Sequence, residues 1–165
     1  MTRKSIKVQS LGLVAWLIAT LAAGGIGAFA SASAAAFYSH LTQPSWAPPA
    51  WLFGPVWTVL YVFMAIAAWL VWRERGFRGA RTGLWLFVIQ LIANAAWTWL
   101  FFQLHLGALS TIEILVLWLL IAATIYTFWP VHRFAAMLLV PYLVWVSFAA
   151  ALTWYLWRMN PALLG

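Results

Sequence analysis

Cysteine is absent from this chain, acidic residues number only two, and charged side chains of both signs make up 7% of its 165 residues. Without cysteine there are no disulfides and no thiolate chemistry, and the redox compartment is left unmarked. A soluble domain is about half apolar and a quarter charged, so this poverty of charge excludes an ordinary water-facing surface. What is present is apolar: 67% hydrophobic and 18% aromatic, with 14 tryptophans. The formal charge of +7 does not indicate nucleic acid, because the basic residues fall in short clusters between apolar runs. That arrangement is how membrane proteins set their orientation.

Five apolar stretches cover residues 11–36, 51–72, 82–103, 106–129 and 134–157. Each has at least about 20 residues, the length of helix that crosses a hydrocarbon core of roughly 30 Å. Helix is required because a backbone facing lipid must satisfy its own hydrogen bonds. The connections are too short for a separate soluble domain. The expected fold is all-α, a polytopic bundle of five transmembrane helices forming one domain over residues 1–165.

Arg3, Lys4 and Lys7 before the first apolar run, with Ala30-Ser31-Ala32 after it, resemble a cleaved signal peptide. The run exceeds the roughly 7–15 residues of a signal core, so a retained helix is expected. Ala19, Ala23, Gly27, Ser31 and Ala35 recur at every fourth position, a small-residue stripe that admits another helix at close range. Five crossings put the N-terminus, the second loop and the fourth loop on one side. Eight of the nine basic residues lie there: Arg3, Lys4, Lys7, Arg73, Arg75, Arg78, Arg81 and Arg133, against Arg158 alone on the other side. The positive-inside rule makes that side cytoplasmic. Helical rather than barrel spans favour a bacterial inner membrane.

The first outward loop reads Gln43-Pro-Ser-Trp-Ala-Pro-Pro-Ala-Trp-Leu-Phe-Gly54. Its three prolines forbid a continuing helix. Trp46 and Trp51 flank the proline pair, either as interfacial anchors or as a stiff lid. Beneath this loop, Gln90, Asn94, Trp97 and Phe101 follow a four, three, four spacing and share one helix face. Asn94 lies about 13 Å inside the outer boundary. Lipid offers no hydrogen bonds, so both amides are expected to face the bundle, as a clamp between helices or as ligand contacts.

Glu113, the sole acid within a span, lies at a similar depth, roughly 10 Å. An intramembrane charge costs about 2.5–3.5 kcal/mol on insertion scales, which predicts an interior partner or a protonated carboxyl. It serves as a structural post, a ligand contact or a proton carrier. In the fifth span Pro141 is expected to kink the helix. Pro141, Trp145, Phe148 and Leu152 share a face, and Ala149–Ala151 leave room beside the indole. Tyr38 completes the outer set. An apolar, Trp-rich pocket with few polar groups suits a large flat hydrophobic ligand. Metal-ligand spacing and a nucleophile with a base are both missing. His40, His105 and His132 lie in three separate loops or span ends, where an interfacial role outweighs axial haem ligation.

Four motifs carry a family resemblance: Gln43 to Trp51 of the loop; Gly54-Pro-Val-Trp-Thr-Val-Leu-Tyr61; Asn94-Ala-Ala-Trp97 with Phe101-Phe102; and Pro141-Tyr-Leu-Val-Trp145 with Trp157-Arg-Met-Asn160. In this order and spacing the chain resembles the tryptophan-rich sensory protein (TspO) family, which includes the mitochondrial translocator proteins. The resemblance implies a five-helix bundle, commonly a homodimer, that binds porphyrin or haem as ligand and requires no cofactor. It points to Tyr38, Trp51, Asn94, Trp97, Trp145 and Ala149 as the pocket, and Glu113 stands where many members carry Asp. Two departures are Leu152-Thr153 in place of Leu-Asn, and a loose sterol-type pattern at Leu152, Tyr155 and Arg158 that carries no weight. With Trp46 and Glu113 added from the residue reading, the expected function is a tetrapyrrole-binding receptor. The alternatives are oxidative porphyrin degradation and small-molecule transport.

Overall fold

The computed structural model describes residues 5–165; Arg3 and Lys4 of the charge count lie outside them. Helix α1 (Ile6–Ala30) opens with the Ser5 hydroxyl accepting from the Val8 amide at 3.4 Å. It ends where the Ser31 amide and hydroxyl both turn back onto the Gly27 carbonyl, each at 3.0 Å. The chain then turns through Ser31–Ser33 before the short α2 (Ala34–His40). The expected single helix over 11–36 is therefore two helices, because serine side chains here compete for the carbonyls that would continue the first.

After the proline loop, one tight turn at Ala50–Leu52 leads into α3 (Phe53–Gly79). Pro55 falls in its first turn, where a missing N–H costs nothing. The helix runs past the expected end at Trp72 and breaks at Gly76, whose φ of 67° lies in the left-handed region. Glycine alone adopts that conformation without a Cβ clash. Helix α4 (Arg81–Thr98) continues through a π-helical turn at Trp99–Gln103, and α5 is Gly107–Phe128. The fifth span is divided at Leu139 into α6 (Arg133–Leu138) and α7 (Val140–Met159), with Pro141 in the first turn of α7. The expected kink is thus a restart, at the place where proline is best tolerated. A last turn, α8 (Pro161–Leu164), closes the described chain.

Among the described residues five helical stretches are long and apolar enough to cross a membrane: Ile6–Ala30, Ala50–Gly79, Arg81–Gln103, Gly107–Phe128 and Arg133–Met159. No strand occurs among the described residues. The outward faces carry Ile18, Ile92, Leu119 and Val144, all well exposed, as lipid-facing positions should be. Helix α1 packs on α3 and α4, α4 on α5, and α5 on α7. Glycines set the closest approaches: a Cβ on Gly12 would lie 2.2 Å from Trp72, and one on Gly107 2.5 Å from Trp157. The expected small-residue stripe is used only in part, since Ala19 and Ala35 are exposed while Gly27 meets Thr98.

The polar centre of the bundle is a chain of side-chain hydrogen bonds joining α3, α4 and α7. Tyr61 donates to Asn94 Oδ1 at 2.5 Å, Asn94 Nδ2 donates to the Tyr142 hydroxyl at 3.2 Å, and Tyr142 donates to Gln90 Oε1 at 2.9 Å. Gln90 Nε2 reaches the Met64 sulfur at 3.8 Å. Such a chain fixes the helix register, because the alternative is an unpaired amide in an apolar core.

Candidate functional site

A cavity of about 490 Å³ lies between α1, α2, the start of α3, the end of α4 and α7. Its size falls within the roughly 300–1,000 Å³ of small-molecule sites. One wall is the small-residue face of α1, with Gly24, Gly27, Ala28 and Ser31; the facing wall is aromatic, with Tyr38, Phe53, Trp57, Tyr61, Trp97 and Trp145. Gly24 is required here: a Cβ would come within 2.7 Å of the Tyr61 ring. The aromatic wall holds three separate sets of ring contacts. Phe53 meets Trp145 edge-on at 5.9 Å, Trp57 lies against Tyr61 at 5.7 Å, and Trp97 stacks on Phe101 at 5.6 Å.

Two tryptophans of this wall carry a polar atom without a partner. The indole nitrogens of Trp97 and Trp145 are buried and have no hydrogen-bond partner among the described residues. A buried indole N–H ordinarily finds an acceptor, so a pair of orphans on one wall calls for an explanation. Other tryptophans behave as the rule demands. Trp69 donates to the Gln9 carbonyl at 2.9 Å, Trp118 to the Ser147 hydroxyl at 2.8 Å and Trp157 to the Gly165 carbonyl at 3.0 Å.

Of the residues singled out from sequence, Tyr38, Trp97, Trp145 and Ala149 line this cavity together. Asn94 does not; it is 1% exposed and stands behind Tyr61, whose hydroxyl it holds. Gln90 is a clamp in the same chain. Trp46 packs edge-on against Phe148 and Tyr155 of α7, at 5.7 and 6.0 Å, which seats the loop. Trp51 is 72% exposed, although Ala50 and Phe53 on either side line the cavity. Glu113 is off the wall, half-buried on α5, with Oε2 unpartnered among the described residues. The histidines have local duties: Nδ1 of His40 bonds the Ala36 carbonyl, His105 stacks on Phe37, and Nδ1 of His132 caps α6.

The loop over this end is tied at several points. Tyr38 donates from its hydroxyl to the Pro48 carbonyl at 3.2 Å, and Gln43 Nε2 donates to the Tyr38 carbonyl. Asn160, at the end of α7, accepts from the Thr42 amide at 2.7 Å and donates to the Thr42 carbonyl at 3.1 Å. Burial raises the Tyr38 phenol above its ordinary value, so the hydroxyl stays a donor across the physiological range. Among the described residues no cluster of His, Asp or Glu is placed to hold a metal ion. Gly24, Trp57, Tyr61 and Thr98 were not singled out from sequence as site residues, and Gly27 was given only to helix packing. The three glycines within residues 24–27 of α1 and the Trp57–Tyr61 spacing of one helical turn were the available signals.

The chain is 39% identical to protein CrtK of Rhodobacter capsulatus, over 93% of its own length and 96% of the relative's. It is 38% identical to tryptophan-rich protein TspO of Chlorobaculum tepidum, over 93% and 98%. With the human translocator protein it shares 38% identity over 75% of each chain. The TspO/MBR family model matches residues 15–158, which include all five spans in whole or part and the whole cavity wall. This five-helix integral membrane protein belongs to the TspO/MBR family.

Proposed function

We propose that the protein is a membrane receptor for tetrapyrroles, binding porphyrin or haem in the cavity beneath the first loop. The observation that carries this reading is the cavity itself, about 490 Å³ between a small-residue face and an aromatic one, two of whose tryptophans, Trp97 and Trp145, carry buried indole N–H groups without a partner among the described residues. A flat conjugated ring gains stacking and dispersion from Phe53, Trp57 and Trp145, while Gly24 and Gly27 leave the thickness it needs. Trp97 and Trp145 donate to acceptor atoms on the ligand edge. Tyr38 and Ala149 complete the contact, and Asn94 acts through Tyr61. Trp51 closes the mouth, since its neighbours Ala50 and Phe53 line the cavity. The resident membrane is a bacterial inner membrane with the basic end in the cytoplasm, and the working unit is a homodimer.

Protoporphyrin IX titrated into the purified protein, followed by Trp fluorescence quenching, tests this. Saturable quenching should weaken in Trp145→Ala and persist in Trp129→Ala, a variant at the opposite end. Equal affinity in all three proteins would reject the cavity. A transport reading has one observation in its favour, the unpartnered carboxylate oxygen of Glu113. It requires uptake by sealed vesicles that is abolished by Glu113→Gln.

A further inference from the structure

A second and larger concavity occupies the opposite end of the bundle, an open groove of about 1040 Å³ between the α3–α4 junction and the α5–α6 junction. Its chemistry is unlike that of the aromatic cavity. Arg75, Arg78 and Arg81 stand on one side, and Ile125 and Leu143 supply apolar surface. All three arginines are exposed, and none is engaged in an ion pair or side-chain hydrogen bond among the described residues.

The backbone builds this groove. The left-handed conformation at Gly76 breaks α3 between Arg75 and Arg78, and the chain re-enters a helix at Arg81. All three guanidiniums are thereby gathered along one junction instead of being carried away on a continuing rod. Gly83 seats the start of α4 on α5, since a Cβ there would lie 3.0 Å from both Phe128 and Thr127. Trp129 and Tyr126, both well exposed, line the same groove. Tryptophan and tyrosine in that position mark the headgroup level of a bilayer.

We infer that this groove binds an anionic phospholipid, its phosphate on Arg75, Arg78 and Arg81 and an acyl chain along Ile125 and Leu143. Charge complementarity selects the occupant. A free anion needs no apolar wall, and a neutral lipid needs no three uncommitted guanidiniums. Arginine forks match phosphate oxygens bidentately, which a diffuse basic surface does not exploit. Each arginine near an anionic leaflet contributes about fivefold in association. Three acting together, partly screened, give a preference of about tenfold or more over a zwitterionic lipid. The inference does not depend on the tetrapyrrole reading, because the two sites share no residue.

The test uses the full-length protein in phosphatidylcholine bilayers carrying spin-labelled phosphatidylglycerol or spin-labelled phosphatidylcholine. The motionally restricted fraction should favour phosphatidylglycerol about tenfold at low ionic strength. The preference should collapse in Arg75→Gln/Arg78→Gln/Arg81→Gln, persist in the corresponding triple lysine variant at reduced strength, and be unchanged in Arg158→Gln. Equal restriction of the two lipids in the wild-type protein overturns the proposal without any variant. So does full displacement of the lipid by millimolar inorganic phosphate, which would make this a free-anion site. Loss of protoporphyrin quenching in the triple glutamine variant, with helicity retained, would assign the groove to the porphyrin and likewise overturn it.

Discussion

Asn94 illustrates how the buried polar chain reaches the site. Its side chain makes two hydrogen bonds, to Tyr61 at 2.5 Å and Tyr142 at 3.2 Å, and it does not touch the cavity. Tyr61 does. Replacing Asn94 with Ala removes both bonds, and interhelical hydrogen bonds in membranes average about 0.6 kcal/mol with a maximum near 1.7. A stability loss of about 1–2 kcal/mol follows. Freed of its acceptor, the Tyr61 ring must be immobilised again when ligand binds, at about 0.5–1.5 kcal/mol. Protoporphyrin affinity should therefore fall about two- to tenfold. Tyr61→Phe keeps the ring and removes the tether, so it should produce a similar loss. In the double variant the second change should add little, because both act on one ring. Quenching titrations on the four proteins of this cycle, with thermal unfolding by circular dichroism alongside, measure both quantities. If Asn94→Ala weakened binding by the same factor with and without the Tyr61 hydroxyl, Asn94 would contact the ligand itself and the tether argument would fail.

Four further outcomes follow from the geometry. Trp97→Phe and Trp145→Phe, which keep an aromatic ring and delete the orphan donor, should each weaken protoporphyrin binding about fivefold, whereas Trp118→Phe should leave it unchanged; equal effects contradict the donor assignment. Gly24→Ala should push Tyr61 into the cavity and lower affinity, whereas Gly12→Ala should cost about 1–3 kcal/mol of stability through overpacking against Trp72 without altering the site; titration and melting read these separately. The raised Tyr38 phenol means that its contribution to folding is complete below its unfolded value, ordinarily about 10, and is lost as pH climbs through the higher folded value; a Tyr38→Phe variant should lack that alkaline step in a pH-dependent melt. Glu113→Gln should bind porphyrin normally, since Glu113 lies off the cavity wall, and a tenfold loss would return it to the site.

The five spans were legible because lipid imposes one rule on every residue of a crossing, so apolar length alone locates the helices. Their breaks were not. Ser31 read as a member of a small-residue stripe, but a serine hydroxyl can end a helix as easily as line one. Gly76 lies in an arginine cluster where hydropathy carries no signal. Of the residues singled out from the sequence, Tyr38, Trp97, Trp145 and Ala149 all line the cavity. Asn94 was assigned to the right face but the wrong layer, because periodicity gives direction and not the identity of what intervenes. Tyr61 intervenes, and its distance of 33 residues along the chain is a tertiary fact. Trp51 followed the loop rather than the cavity, since a helix period says nothing about a side chain in irregular backbone.

The most direct measurement is the indole region of a nitrogen–proton correlation spectrum, recorded on nitrogen-15 labelled protein during titration with protoporphyrin IX. The Trp97 and Trp145 signals, identified by the two Phe variants, should move saturably as their free N–H groups gain an acceptor, while Trp69, Trp118 and Trp157, already bonded, hold still. Movement confined to other indoles, or no saturable movement at Trp97 and Trp145, would contradict the assignment of the cavity as the tetrapyrrole site.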